Sequence, residues 1–129
     1  MYNGLYVDGK LYANIHLRDL KREGEMLDGQ NTMRFKNGHL TRDIVGTFFN
    51  YSVVIDPDAA DVEVYDELYE VLLDPDMESH IVVFPYGQGT LTFRAYVSKI
   101  SDEIIYINGA EQRWGNATMK FVAQAPQRS

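Results

Sequence analysis

The chain has 129 residues and an acidic excess, 19 Asp and Glu against 12 Lys and Arg, which gives a formal net charge of −7. This length with 45% hydrophobic residues predicts one folded domain over residues 1–129 and excludes a largely disordered chain. The negative charge disfavours sequence-specific binding of nucleic acid. The absence of cysteine excludes disulfides, thiolate metal sites and cysteine nucleophiles.

The N-terminal segment predicts a β-hairpin. Asp8-Gly9 supplies the positive φ angles of a type I′ turn, and apolar residues recur with period two on both sides of it. These apolar positions are Leu5, Val7, Leu11, Ala13, Ile15 and Leu17. Because the pattern alternates, it resembles neither a signal peptide nor a membrane span, and we expect a soluble chain without a membrane partner.

Residues 18–43 are charged, rich in glycine and apolar only at scattered points. Such a stretch buries little of its own surface. Its turn signals, Asp28-Gly29 and Asn37-Gly38, predict a long polar loop or a projecting hairpin and not a helix.

The next segment predicts a strand followed by the chain's one helix. The strand VGTFFNYSVVI has one face toward the core and a half-polar opposite face. Asp58 is the expected N-cap of a helix near residues 59–73, which Asp74-Pro75 ends. The helix has a buried stripe at three-and-four spacing: Val62, Tyr65, Leu68, Tyr69 and Leu72.

The rest of the chain predicts further strands. Residues 81–86 are apolar on both faces, which is typical of a strand covered on both sides or in an interface. A glycine turn, an alternating strand over 90–98, a short strand over 104–107 and a last strand over 117–123 follow. The predicted fold is therefore mainly β, a β-sandwich or partly closed barrel of about seven antiparallel strands, with one helix.

No reacting constellation is visible in the sequence. His16, His39 and His80 lack the spacing of a metal pair and are expected at surfaces or strand edges. We predict no catalytic residues, no metal, no cofactor and no enzyme, and keep a hydrolase built from His80 and nearby acids only as a remaining hypothesis.

The aromatic residues leave two functions open. Tyrosines and one phenylalanine alternate with the expected core positions: Tyr12, Phe48, Tyr86, Tyr96 and Tyr106. Exposed aromatic rings are typical of protein interfaces and of sugar-binding platforms. Trp114, at a turn, is either such a platform or a plug of the core. The alternative function is thus a carbohydrate-binding β-sandwich that uses Trp114 with Tyr86, Tyr96 or Tyr106.

Four segments, HLTRDIVGTFFNY, VYDELYEVL, HIVVFPYGQGTLTFRAY and RWGNATMKFVAQAPQR, resemble small structural proteins of tailed phages and prophages of Gram-positive bacteria. The order of elements is similar to the fold shared by phage tail-tube and distal-tail proteins. The resemblance implies a virion protein of the tail, assembled in the cytoplasm of a bacterial host. It implies a subunit of a self-assembled ring, typically hexameric, whose lumen passes DNA and whose other partners are phage tail proteins.

On this hypothesis, the isolated apolar residues of the polar segment make contacts between subunits, together with two tyrosines of the later hairpin. The residues expected to do so are Met26, Leu27, Met33, Phe35, Tyr86 and Tyr96. The acidic net charge suits a channel wall that does not hold DNA tightly. The segment over 81–86 suits a sheet that continues across subunits.

Overall fold

The structure, a computed structural model, describes residues 2–28, 33–34, 40–41, 44–58, 62–109 and 111–128. Nine strands and one helix follow one another in these residues. They are β1 (Tyr2–Val7), β2 (Lys10–Asp28), β3 (Met33–Arg34), β4 (Leu40–Thr41), β5 (Ile44–Pro57), α1 (Val62–Leu72), β6 (His80–Tyr86), β7 (Gly89–Tyr96), β8 (Ile100–Asn108) and β9 (Glu111–Ala123).

Seven strands form one antiparallel sheet in the order β5-β2-β1-β6-β7-β9-β8, and β3 pairs with β4 in a separate ribbon. The sheet curls on itself because β9 also pairs with β5, from Tyr51↔Phe121 to Ile55↔Ala117. Two of its junctions are short: β1 meets β6, and β7 meets β9, over two residue pairs each. The fold is therefore a partly open barrel, which confirms the predicted mainly β class with one helix.

The core lies between the curled sheet and α1. The helix contributes Tyr65, Leu68 and Leu72, as its stripe predicts, and its described part begins at Val62. At the centre Phe84 stacks on Tyr51, with ring centroids 4.6 Å apart. Alternate residues of the long strands complete this core: Val53, Ile55, Phe93, Ala95, Ala117, Met119, Phe121 and Ala123. These burials confirm the period-two patterns of β5, β7 and β9.

The first hairpin has the predicted turn but not the predicted phase. Asp8 and Gly9 have φ of 53° and 84°, as a type I′ turn requires. Beyond the turn, Asn14 adopts a φ of 60°, and β2 gains residues relative to β1 between Tyr2 and Gly4. Such a bulge reverses the faces on its two sides. Tyr12 is therefore only 4% exposed, and its predicted position on the outer face is wrong.

Strand β6 is buried on one face, not on both. His80, Val82 and Phe84 point into the core, whereas Ile81 is 41% exposed. The expectation of a strand covered on both sides is thus wrong for this chain. The continuous apolar run HIVVFPY comes from a one-sided strand with an apolar residue on its outer face.

Of the two structures predicted for residues 18–43, the described part fits the projecting hairpin: residues 18–28 form one strand, because β2 pairs with β5 from Ile15↔Pro57 to Asp28↔Ile44. Most of residues 29–43 lie outside the described residues. We call residues 21–28 with their partners 44–52 the arm. All described side chains of its β2 strand, residues 21–27, are exposed. The other edge of β5 pairs at Thr47 with Arg128, so the C-terminal residues brace the outer half of the arm, at the position that pairs with Met26.

Candidate functional site

The arm carries the first group of predicted contact residues. Met26 and Leu27 are 46% and 44% exposed near its far end, which leaves their apolar side chains available to a partner. Met33 lies in β3, but its side chain, like the whole of Phe35, lies outside the described residues. The predicted role of these four residues in contacts between subunits stays a prediction.

The two predicted tyrosines lie in different surroundings. Tyr86 is half-buried beside the middle of the arm, where its ring packs edge-on against Phe49 with ring centroids 5.1 Å apart. The guanidinium groups of Arg22 and Arg128 lie 5.0 Å and 5.6 Å from the same ring. Tyr96 is exposed at the end of β7. Tyr86 thus stabilises the junction between the arm, the barrel and the C-terminal residues, and Tyr96 is the more accessible of the two.

An apolar surface lies on β8. Within the described residues β8 pairs with β9 alone, so its outer edge has unpaired backbone groups. Ile104, Ile105 and Ile107 are 37%, 48% and 64% exposed along this strand. We call this surface the β8 edge. An exposed strand edge with large apolar side chains is a template for pairing with another chain, and monomeric proteins usually blunt such edges with charge or proline.

A groove of about 440 Å³ lies between α1 and the hairpin of β8 and β9. Its lining consists of three aromatic residues and three acidic ones: Tyr65, Asp66, Tyr69, Glu70, Asp102 and Trp114. We call it the Trp114 groove. Trp114 is 41% exposed and lies opposite Ile104 in the β8–β9 register, so it is not a plug of the core. The groove and the β8 edge are therefore neighbouring surfaces.

The electrostatics of the Trp114 groove are acidic. The hydroxyl of Tyr65 donates a hydrogen bond to Asp102 Oδ2 at 2.8 Å. Burial, and to a smaller extent this hydrogen bond, raise the pKa of Tyr65, so the phenol stays neutral. In the described part of the chain no basic side chain forms an ion pair with Asp66, Glu70 or Asp102. The groove thus presents unneutralised carboxylates beside aromatic rings.

This acidity extends along the chain on both sides of α1. Residues 56–78 include ten acidic residues and no Lys or Arg: Asp56, Asp58, Asp61, Glu63, Asp66, Glu67, Glu70, Asp74, Asp76 and Glu78. The rest of the chain has nine acidic and 12 basic residues, so the acidic excess of the molecule comes from this segment. The field of the protein is therefore strongly asymmetric.

The histidines do not form a reacting group in the described residues. His80 is 2% exposed, which corrects its predicted surface position, and its Nδ1 lies 2.7 Å from Asp8 Oδ2. His16 Nε2 lies 3.5 Å from Asp58 Oδ2, so the carboxylate expected to cap the helix lies beside a histidine. Neither histidine lines the Trp114 groove, and His39 lies outside the described residues. No group of three potential metal ligands occurs among the residues that the structure describes.

Neither the β8 edge nor the Trp114 groove was predicted from the sequence. The groove joins Tyr65 of α1, Asp102 of β8 and Trp114 of β9, which are up to 49 positions apart in the chain, so no local motif indicates it. Two signals in the sequence were available. One is the segment 56–78, which has ten acidic residues and no Lys or Arg. The other is the cluster Ile104-Ile105-Tyr106-Ile107, which is too apolar for a half-solvated strand.

Comparison of the chain with family models, curated proteins and solved structures gave no match. No helix in the described ranges combines the length and apolar character needed to cross a membrane.

Proposed function

We propose that this chain is a structural, non-enzymatic subunit of a tailed phage or prophage, located in the tail or attached to it, that assembles with copies of itself into a ring. The β8 edge carries this proposal. Three exposed isoleucines occur on a strand whose outer edge is unpaired within the described residues, and they follow the charged pair Asp102 and Glu103 of the same strand. The family resemblance of the sequence supplies the phage context.

The energetic argument rests on what the β8 edge exposes. Pairing of an edge strand satisfies backbone N–H and C=O groups in a row. Complete burial of a fully exposed large aliphatic side chain contributes roughly 1.5–3 kcal/mol, and each of these partly exposed isoleucines gains the corresponding fraction. Ile107, at 64% exposure, has the most to gain. A subunit contact at this surface therefore gains both directional hydrogen bonds and apolar burial.

The arm supports assembly in a second way. It extends the two longest strands beyond the barrel, with Met26 and Leu27 exposed near its far end. A long ribbon with apolar residues at one end is typical of an element that packs against a neighbouring molecule. The arm and the β8 edge are different surfaces, so together they provide the two unlike contacts that a ring needs.

Light scattering over a range of concentrations tests the proposal. We expect particles with a mass that is a multiple of 14.8 kDa, and rings in electron micrographs. Ile107→Lys places a charge on the β8 edge and is expected to lower the mass toward that of the monomer. Leu11→Lys is the matched control, because it adds the same charge at another exposed apolar residue, in β2. A parent chain that stays monomeric at high concentration would contradict the proposal.

The exposure of Trp114 favours a second candidate function, carbohydrate binding. Indole and phenol rings stack on sugars, and carboxylates accept hydrogen bonds from hydroxyl groups. The partner tyrosine in this version is Tyr69, which is half-buried and lines the groove, and not the predicted Tyr86 or Tyr96. Tyr65 is only 4% exposed, and the side chain of the third predicted partner, Tyr106, lies outside the described residues. Selective binding in a glycan screen that is lost in Trp114→Ala, with the fold retained, is the result expected of this alternative.

A further inference from the structure

The Trp114 groove has the chemistry of a receptor for cations. The faces of Trp and Tyr rings attract ammonium and guanidinium groups, and the attraction grows when the cation is desolvated. Asp66, Glu70 and Asp102 lie beside these rings without an ion pair in the described part of the chain. A basic peptide therefore finds both a countercharge and a stacking surface in one groove of about 440 Å³.

The same chain contains a segment of matching chemistry. Residues 29–42, GQNTMRFKNGHLTR, include Arg34, Lys36 and Arg42 and no acidic residue. Met33 and Phe35 alternate with the first two of these cations, so the segment offers apolar side chains as well. It is the complement of the acidic segment 56–78, and complementary charge of this kind selects partners and their orientation.

A subunit's own segment does not reach its own groove. The segment joins the strands at the far end of the arm, where Asp28 pairs with Ile44. The groove lies at the other end of β5, since Asp56 Oδ1 accepts the backbone N–H of Asn116, two residues from Trp114. Ile44 and Asp56 are about 40 Å apart along the strand at roughly 3.3 Å per residue. Fourteen residues joined to the arm at both ends reach at most about 25 Å from it, whatever their conformation.

We propose that the Trp114 groove of one subunit binds residues 29–42 of a second copy of the chain. Arg34 and Lys36 meet the carboxylates of the groove, and at least one of them lies against an aromatic ring. The contact is head-to-tail, because donor and receptor are different surfaces, and such contacts build rings when the rotation closes. This inference rests on the proposed function, for which it names the second contact between subunits.

A peptide titration tests the receptor directly. Trp114 is the only tryptophan of the chain, so its fluorescence reports on the groove without labelling. A capped peptide of residues 29–42 is added to the full-length protein at low concentration. We expect a saturable change in fluorescence that weakens as salt is raised, because exposed ion pairs are screened. The control peptide has Arg34→Gln, Lys36→Gln and Arg42→Gln. Its affinity is expected to be at least about tenfold lower.

Charge reversal tests the contact within the assembly. Asp66→Lys with Glu70→Lys reverses the groove, and Arg34→Glu with Lys36→Glu reverses the segment. Each pair alone is expected to lower the association constant about tenfold, and all four substitutions in one chain are expected to restore it. The matched control is Asp76→Lys with Glu78→Lys, which changes the same charge in the same acidic segment but outside the groove. It is expected to leave association near that of the parent.

The outcomes separate this inference from the proposed function. The proposed contact is overturned if both peptides bind with equal affinity or if neither changes the fluorescence. It is also overturned if the variant with all four substitutions associates no more strongly than the variants with one reversed pair. If Ile107→Lys abolishes assembly while both reversals are neutral, the ring survives and the groove contact is wrong. A parent chain that is monomeric at every concentration overturns the proposed function, and the peptide titration then decides the specificity of the groove by itself.

Discussion

Gln127 takes the place of a neighbouring strand at the middle of the arm. Its side-chain Oε1 accepts the backbone N–H of Phe49 at 3.0 Å, and its Nε2 donates to the carbonyl oxygen of Phe49 at 2.9 Å. One amide side chain thus satisfies both backbone groups of a residue on the edge of β5. Gln127→Ala removes both hydrogen bonds and leaves these groups to water or unpaired.

The expected cost follows from the two hydrogen bonds. Each contributes about 0.5–1.5 kcal/mol net, and both are partly buried, so Gln127→Ala is expected to lower the free energy of unfolding by about 1–3 kcal/mol. For a domain of this size each kcal/mol corresponds to roughly 3–5 °C in Tm. The same change also removes the protection of the Phe49 amide, because its acceptor is the deleted side chain.

Urea unfolding followed by Trp114 fluorescence measures the first effect, and hydrogen exchange of the Phe49 amide measures the second. Gln112→Ala, at an exposed position of β9, is the control and is expected to be nearly neutral. A loss below about 0.3 kcal/mol together with unchanged exchange at Phe49 would refute the reasoning, since it would mean that neither hydrogen bond forms in solution.

Three further predictions concern the core and the titrating groups. Phe84→Ala, in the aromatic centre, is expected to lower the free energy of unfolding by about 3–5 kcal/mol in urea titrations, and a loss below about 1 kcal/mol would contradict its packing. Burial raises the pKa of Asp8, but hydrogen bonds from His80 and a backbone amide outweigh burial and lower the pKa below its usual value of 3.8. The contribution of Asp8 to stability is therefore present above about pH 4 and lost as pH falls through the folded pKa. Asp8→Asn should therefore make the free energy of unfolding fall less steeply at acid pH. An unchanged acid dependence would count against the interaction of Asp8 with His80. Because burial and Asp102 raise the pKa of Tyr65, Tyr65→Phe should give the same phenolate absorbance as the parent at pH 11, and a deficit of one tyrosine would show that Tyr65 ionises normally.

The periodic parts of the fold were predictable from sequence, and the departures from periodicity were not. Tyr51, Val53 and Ile55 are buried as their alternation predicts, because nothing interrupts β5 there. Tyr12 is buried against prediction because the positive φ of Asn14 shifts the phase of β2. The amino-acid composition does not clearly mark a bulge, which inserts extra residues into a strand. An assignment of side chains to the two faces by simple alternation is therefore reversed on one side of the bulge.

Buried polar groups were the second source of error. His80 and Asn50 look like surface residues in a strand pattern, yet each has a specific partner. Asn50 Oδ1 accepts the backbone N–H of Ala123 at 2.8 Å, and His80 lies beside Asp8. These partners are 73 and 72 positions away in the chain, so only the tertiary fold reveals why burial is tolerated. The Trp114 groove was missed for the same reason.

The continuity of β2 and β5 has a geometric consequence for any assembly. The arm is made of the same two strands as the barrel wall, and no linker separates them. Its direction is therefore set by the twist of the barrel and by the bulge between Arg18 and Lys21, where Asp19 has a φ of 52°. The angle between the far end of the arm and the receiving surface of the same subunit is thus a property of one chain. In a closed ring that angle, repeated at each contact, decides how many copies complete the circle.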